Sequence, residues 1–136
     1  MSIKKFYVGV KGIVRDPVRG VLLLHREYKS GDYWDIPGGR IDGSEDFEET
    51  LHRELAEELP GIKVTAVKEL LGAFRLPKDI EDDTSLVLLY FLVDAKLPDP
   101  VVLSEEHESY TWVTAKNDLP EGLNPGITQI LQKLLT

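Results

Sequence analysis

The residues best suited to chemistry are three glutamates in the run Arg53-Glu54-Leu55-Ala56-Glu57-Glu58. On a helix, positions three and four apart share a face, so the carboxylates of Glu54, Glu57 and Glu58 converge on one point. Two readings compete. An acidic helix face is ordinarily just solvated. Here, however, the carboxylates crowd the turn before Pro60, where the helix dipole is negative and each exposed one is unfavourable by roughly 0.3–1 kcal/mol. Glu54 and Glu58 also repel each other as a like-charged i,i+4 pair. A helix selected for stability alone would carry lysine there. Oxygen-only clusters suit hard divalent cations, Mg²⁺ or Mn²⁺, so the placement favours a cation site.

The segment ahead of the run adds a second element. Pro37-Gly38-Gly39 offers backbone that can approach a ligand with no Cβ in the way, and it leads through Asp42-Gly43 towards the helix. Alone, such a turn is ordinary. Joined to three carboxylates at the far end of one helix, it forms a loop–helix unit able to hold metal and phosphate together. The charge distribution agrees. The 136 residues carry 24 Asp and Glu against 16 Lys and Arg, a net charge of −8. Residues 42–58 hold eight carboxylates against Arg53 alone, and the rest of the chain is close to neutral. So acidic a chain is a poor general binder of nucleic acid. A bound cation would nevertheless reverse the local sign and admit a phosphate substrate.

The elements that must position these groups are readable from periodicity. Phe6 to Val14 alternates as a half-buried strand with Phe6, Val8, Val10 and Val14 on one face. Asp16 to Gly20 is a turn, Val21 to Leu24 a buried strand, Tyr28 to Asp32 a polar loop, and Tyr33 to Ile36 a brief strand. Ser44 is the expected N-cap, with Glu45 and Asp46 in the first turn. Phe47, Leu51, Leu55 and Leu59 then mark an amphipathic helix of about four turns. Pro60 ends it, and Gly61 suits the left-handed exit. Ile62 to Leu76 reads as extended structure bent near Gly72, and Pro77 to Asp83 as an acidic loop. Ser85 to Val93 and Tyr110 to Val113 read as strands. Asn124-Pro125 resembles an N-cap followed by Pro at the first helical position, opening a final helix striped with Ile127, Ile130, Leu131 and Leu134. The order predicts an α/β fold, a mixed sheet with helices packed on it. Composition and length fit one domain over 1–136.

Gly39, five residues, Glu45, seven residues, then Arg53 to Glu58 resembles the signature of the Nudix hydrolases (MutT-like), and Trp34-Asp35-Ile36-Pro37-Gly38-Gly39 is similar to that family's flanking segment. The resemblance implies an α/β/α sandwich of the Nudix type, built on the box helix and the C-terminal helix. It also implies metal-dependent hydrolysis of a diphosphate linked to another moiety. It makes Gly39, Glu54, Glu57 and Glu58 metal ligands, Gly39 through its carbonyl, with Gly38, Glu45 and Arg53 supporting loop and helix. One departure stands out. The family's Gly and aliphatic residue arrive one position late, as Leu59-Pro60-Gly61-Ile62, after the last ligand.

Other residues divide between roles. In Ser104 to Trp112, the pattern Glu-His-x-x-Tyr-x-Trp is similar to a stretch in several Nudix branches and selects Glu106 as a further ligand or general base; the alternative is a polar loop. His25, His52 and His107 do not space as a metal triad. Arg26 is placed for a bidentate phosphate contact or is a surface strand end. Tyr33, Trp34 and Phe74 could stack on a base or belong to the core. Asn124 resembles an Asn that reads the base in nucleoside-triphosphate-specific members, although an N-cap needs no such role. Arg53 alone would be explained as an i,i+4 partner of Glu49 and Glu57.

The expectation is a Mg²⁺-dependent pyrophosphohydrolase, with Mn²⁺ as a substitute ion and with Glu54, Arg53 and Glu106 as the catalytic set. Its substrate would be a (d)NTP or modified nucleotide, contacted by Arg26 and Asn124. The alternatives are an ADP-ribose or nucleotide-sugar pyrophosphatase, suggested by Pro77 fifteen residues past Ile62, and a non-catalytic nucleotide-binding module. The absence of cysteine excludes disulfides, thiol catalysis and Cys–zinc sites. Met1 to Phe6 holds no run suited to a signal peptide or membrane span. A cytoplasmic protein is expected, with no membrane or nucleic-acid partner, and the resemblance allows a homodimer.

Overall fold

The computed structural model describes residues 4–28 and 31–135. Among these, β1 (Lys5–Asp16), β2 (Gly20–Tyr28), β3 (Gly31–Asp35), β4 (Gly38–Arg40), β5 (Lys63–Arg75), β6 (Thr84–Lys96) and β7 (Ser109–Val113) form one sheet. Helix α1 (Phe47–Glu58) covers one face and α2 (Pro125–Leu134) the other. The main path runs β3-β2-β1-β6-β5, with β4 on β1 and β7 on β2. Only β1 and β6 pair in parallel among these strands, so the sheet is mixed and the architecture is the expected α/β/α sandwich. The middle of the expected 28–32 loop, residues 29–30, and the N-terminal residues 1–3 lie outside the described residues.

The core explains both helices. Leu51, Leu55 and Leu59 of the α1 segment are fully buried against Val10, Val14, Leu22, Leu24 and Val93. Ile127 and Leu131 of α2 close over Ile13, Val21, Leu23, Tyr90 and Leu92. Each such side chain taken out of water contributes roughly 1.5–3 kcal/mol. Strand β1 is not half-buried along its length, as its alternation suggested: Lys5 to Tyr7 are exposed, Phe6 at 45% despite its place on the expected apolar face, and the strand is largely buried from Gly9 onward. It is central, with Val10, Ile13 and Val14 at 0% exposure, because helices cover both faces and an inner strand loses its polar side.

Two local expectations at α1 are corrected. The N-cap is Asp46, not Ser44, and Glu45 and Asp46 stand outside the first turn. Asp46 Oδ1 accepts the Glu49 N–H at 2.8 Å, and Glu49 Oε1 accepts the Asp46 N–H at 3.1 Å. That reciprocal capping box satisfies two orphan donors at once, which Ser44 could not do from two residues earlier. Phe47 is 46% exposed rather than core, since it stands at the open edge of the helix–sheet contact; its ring lies 6.1 Å from that of Phe91 on β6. At the exit, Gly61 takes φ +88° as expected. Asn124 caps α2 by accepting the Ile127 N–H at 2.8 Å, with Pro125 at the first position.

One irregularity builds the site. β1 and β2 pair only at Arg15↔Val21 and Asp16↔Gly20, and then diverge. β4 enters beside β1 through Val10↔Gly39 and Lys11↔Gly38, and the Gly12 N–H binds the Pro37 carbonyl at 2.8 Å. The Gly-Gly segment is thereby set on the sheet, next to the last turn of α1.

Candidate active site

Glu58, the last residue of α1, is 5% exposed. The Gly38 N–H donates to its Oε2 at 2.7 Å. Burial pushes the Glu58 carboxyl up to about 7, and neighbouring Glu54 and Glu106 push the same way, against the Gly38 N–H and the Lys11 ammonium. Lys11 is itself anchored, with Nζ 3.0 Å from both Asp35 Oδ2 and the Ile36 carbonyl. A buried carboxylate that folding must keep at a cost, aimed at a glycine loop, is what a cation site requires.

Glu54 occupies the other side of that loop. A Cβ placed on Gly39 would lie 2.4 Å from Glu54 Cδ and Oε1. The position therefore accepts only glycine while Glu54 stays where it is. Glu54 Oε1 accepts from Arg53 Nη1 at 2.9 Å. Arg53 also binds both Glu45 oxygens, Nε to Oε2 at 2.7 Å and Nη2 to Oε1 at 2.9 Å, and reaches the Arg40 carbonyl at 3.3 Å. Glu45 further accepts the Asp42 N–H and the Thr50 hydroxyl, each at 3.1 Å. Arg53 thus ties the incoming loop to the carboxylate helix. Its partners are Glu45 and Glu54, with Glu57 at 3.6 Å; the bidentate fork to Glu45 displaces the simpler i,i+4 pairing with Glu49.

Hydrogen bonding to Arg53 holds the Glu45 carboxyl down to about 2. Because the folded value lies below the ordinary 4.5, this contribution to stability is full above that pH and is lost as the pH falls towards 2. Glu45→Gln is expected to lower Tm at pH 7, with the deficit against wild type shrinking as the pH approaches 3. A deficit that stays constant across that range would show that the ionised pair is not its source.

The expected residues do not all meet. Glu57 is 60% exposed and faces Arg53, so the three box carboxylates divide, with Glu54 and Glu57 towards the guanidinium and Glu58 buried. A second set of groups closes on Glu58 instead. Donor atoms of Glu58, Glu106 and His107 all lie within 4.8 Å of one another. The loop carrying the last two is pinned at several points. The Ser104 N–H binds the Glu58 carbonyl at 3.0 Å and the Glu108 N–H binds the His25 carbonyl at 2.9 Å. Arg26 Nε donates to the Glu106 carbonyl at 2.6 Å. Arg26, expected as a phosphate contact, therefore holds this loop. His107 is the residue that sequence reasoning passed over, although it stands inside the motif that selected Glu106. Burial, and then the Arg26 guanidinium, lower its imidazole from the ordinary value.

Beside these groups lies a cavity of about 360 Å³ whose wall includes Tyr33, Asp35, Phe74, Pro77, Leu88 and Asn124. Asn124, besides capping α2, places Nδ2 3.2 Å from the Tyr90 hydroxyl. Trp34 is absent from the wall; its ring lies against that of His25, centroids 4.7 Å apart and planes tilted by 46°.

The donor set fits a hard divalent cation, with carboxylates at close quarters, a buried one held by a backbone N–H, and a glycine cradle that a Cβ would fill. Comparison with known proteins places the chain in a family. Residues 5–134 match the family model of the NUDIX domain. The chain is 39% identical over 67 residues to the 8-oxo-dGTP diphosphatase of Proteus vulgaris, a match covering 48% of this chain and 58% of that enzyme's length. It is 33% identical over 107 residues to the nucleoside triphosphatase NudI of Enterobacter sp. (strain 638), covering 71% and 74%. The fold superposes on the MutT protein of Methanosarcina mazei Go1 with a TM-score of 0.77 over 98% and 95% of the two chains, at 22% identity. Among the described residues, no helix is long and apolar enough to cross a membrane.

Proposed function

The chain belongs to the Nudix hydrolase family, and from that premise we propose that residues 1–136 form one Nudix domain acting as a Mg²⁺-dependent nucleotide pyrophosphohydrolase. The observation that carries this reading is the buried Glu58 carboxylate, fixed by the Gly38 N–H beside a Gly39 that abuts Glu54. Glu54, Glu58 and the Gly39 carbonyl would hold the ion, joined by Glu57 once it turns from Arg53. When bound, a divalent cation neutralises the diphosphate and acidifies the attacking water.

The chain's own groups do the rest. Arg53 and Glu45 keep Glu54 against the loop, and Gly38 keeps Glu58 in register with it. Glu106, the exposed carboxylate of the cluster, serves as a further ligand or takes the proton of the attacking water, and Arg26 holds its backbone in place. The 360 Å³ cavity takes the nucleoside. Its aromatic and aliphatic wall offers stacking, and its polar groups Asp35, Asn124 and Lys11 offer a base edge hydrogen bonds. A (d)NTP or modified nucleotide is the favoured substrate, in keeping with the triphosphate and 8-oxo-dGTP activities named for the relatives. Pro77 in the same wall supports a second reading, a nucleotide-sugar such as ADP-ribose.

Two measurements test this. Product analysis across NTPs, 8-oxo-dGTP, ADP-ribose and nucleotide-sugars should give a nucleoside monophosphate plus pyrophosphate from the preferred substrate. Monophosphate plus a sugar phosphate would move the assignment to the second reading, and binding without turnover would leave only a nucleotide-binding module. Calorimetric Mg²⁺ titration of wild type and of Glu57→Gln plus Glu58→Gln should show affinity lost in the double variant. Equal affinity would sink the metal assignment.

A further inference from the structure

We propose that His107 is a metal ligand, its Nδ1 joining Glu58 and Glu106 in a mixed nitrogen–oxygen site that selects Mn²⁺, Co²⁺ or Zn²⁺ over Mg²⁺. The proposal rests on reading the Glu58 cluster as a cation site, and it changes which cation that site prefers.

The first observation is an orphan atom. The His107 side chain is 9% exposed, and its Nδ1 is buried with no hydrogen-bond partner among the described residues. Buried polar nitrogens are nearly always paired, so an exception calls for a ligand. The second observation is where that atom points. Nδ1 lies 4.0 Å from Glu58 Oε1. That is too far for a hydrogen bond. It is short enough for both atoms to reach one ion between them, with bonds of about 2.0–2.2 Å each. A Glu106 oxygen completes the group within 4.8 Å.

The arrangement is held in place rather than incidental. The Gly38 N–H occupies Glu58 Oε2 at 2.7 Å, so Oε1 is the oxygen presented to His107. The Ser104 N–H on the Glu58 carbonyl fixes the loop to the end of α1, and the His107 N–H reaches the Ser104 carbonyl at 3.4 Å. Arg26 fixes the Glu106 backbone from β2. Chemistry then sets the preference. Imidazole nitrogen suits Zn²⁺ and its neighbours in the transition series, whereas Mg²⁺ is a hard ion that favours oxygen and retains its waters. Adding one nitrogen to a carboxylate set therefore raises affinity for the former more than for the latter.

Calorimetric titrations with Mg²⁺, Mn²⁺ and Zn²⁺ alone, on wild type, His107→Gln and Glu106→Gln, would test this, with Tm confirming the fold of each. His107→Gln is expected to weaken Mn²⁺ and Zn²⁺ by about tenfold or more while Mg²⁺ changes by less than about twofold. Long-range ¹H–¹⁵N spectra of wild type give an answer that needs no variant: on Zn²⁺ addition the His107 Nδ1 resonance should shift with saturation. An unchanged Mn²⁺ to Mg²⁺ affinity ratio in His107→Gln, or an Nδ1 resonance unmoved at saturation, would overturn the proposal and leave the carboxylate site standing. Wild type that binds none of the three ions would instead overturn the cation reading of the cluster, and the proposal with it.

Discussion

Glu58→Gln is expected to reduce turnover by roughly a thousandfold while leaving the chelator-treated protein at least as stable as wild type. Both halves follow from the position of the side chain. It is 5% exposed and its carboxyl is pushed up to about 7, chiefly by burial. Between its ordinary value of 4.5 and about 7, the folded state holds a proton that the unfolded chain has released. This group's contribution to stability therefore declines as the pH rises through that window. Glutamine keeps an oxygen to accept the Gly38 N–H and carries no charge, so the decline should vanish. Thermal melts from pH 4.5 to 8 in chelator, beside turnover with Mg²⁺, measure the two effects separately. If Glu58→Gln keeps even a tenth of the activity, Glu58 has no place in the site. If it melts lower at pH 8, its charge stabilises the fold rather than straining it. A substitution that sacrifices activity without sacrificing stability marks a residue kept for function.

Gly38→Ala and Gly39→Ala, adjacent and chemically identical, are expected to fail in different ways. Gly38 has φ +147°, and an added Cβ would meet the Val10 carbonyl oxygen at 2.2 Å and Lys11 Cα at 2.6 Å. Both are backbone atoms of the central strand and cannot yield. Strain and overlap together should destabilise the fold by about 3 kcal/mol or more. At Gly39 the three atoms nearest the added Cβ all belong to the Glu54 carboxylate, the closest at 2.4 Å. A side chain can move where a strand cannot, so Gly39→Ala should fold with a Tm close to wild type. It would displace Glu54 from Arg53 and from the loop, and a displacement of about 1 Å costs on the order of a hundredfold in rate. Tm and kcat measured on both variants distinguish the cases. Gly39→Ala with full activity would show that Glu54 need not lie against the loop.

The legible part of this protein was its local part. The capped α2 helix, the irregularity of β5 near Gly72 and the left-handed Gly61 all depend on neighbours within a few residues; two register shifts of β5 fall between Val67 and Gly72, and a third, between Val64 and Ala66, was not expected. The first helix shows the limit of such reasoning. Ser44 and Asp46 are both good caps, and the choice fell to Asp46 because Glu49 stands three residues beyond it and can return a hydrogen bond. Glu45 was thereby released to take Arg53. Phe47 fits the helical stripe by spacing, but it lies at the open edge where the helix meets the sheet, and periodicity carries no information about where that contact ends.

The sequence by itself determined the loop–helix unit: two glycines, a helix, and carboxylates gathered where helix electrostatics disfavour them, the source of nearly all the net negative charge. These are consequences of residue type and short-range spacing, which no distant contact alters. Only the tertiary structure decided how those carboxylates divide, with Glu54 and Glu57 turned to Arg53 and Glu58 buried under the loop from β6 to β7. It also decided that a lone histidine far along the chain would bring an unpaired nitrogen to Glu58. The physical reason is the divergence of β1 from β2, which opens space for the glycine segment, and the pairing of β2 with β7, which carries the 104–108 loop to the end of α1. Contacts of that kind are settled by sheet register and burial, and side-chain spacing along the chain contains neither.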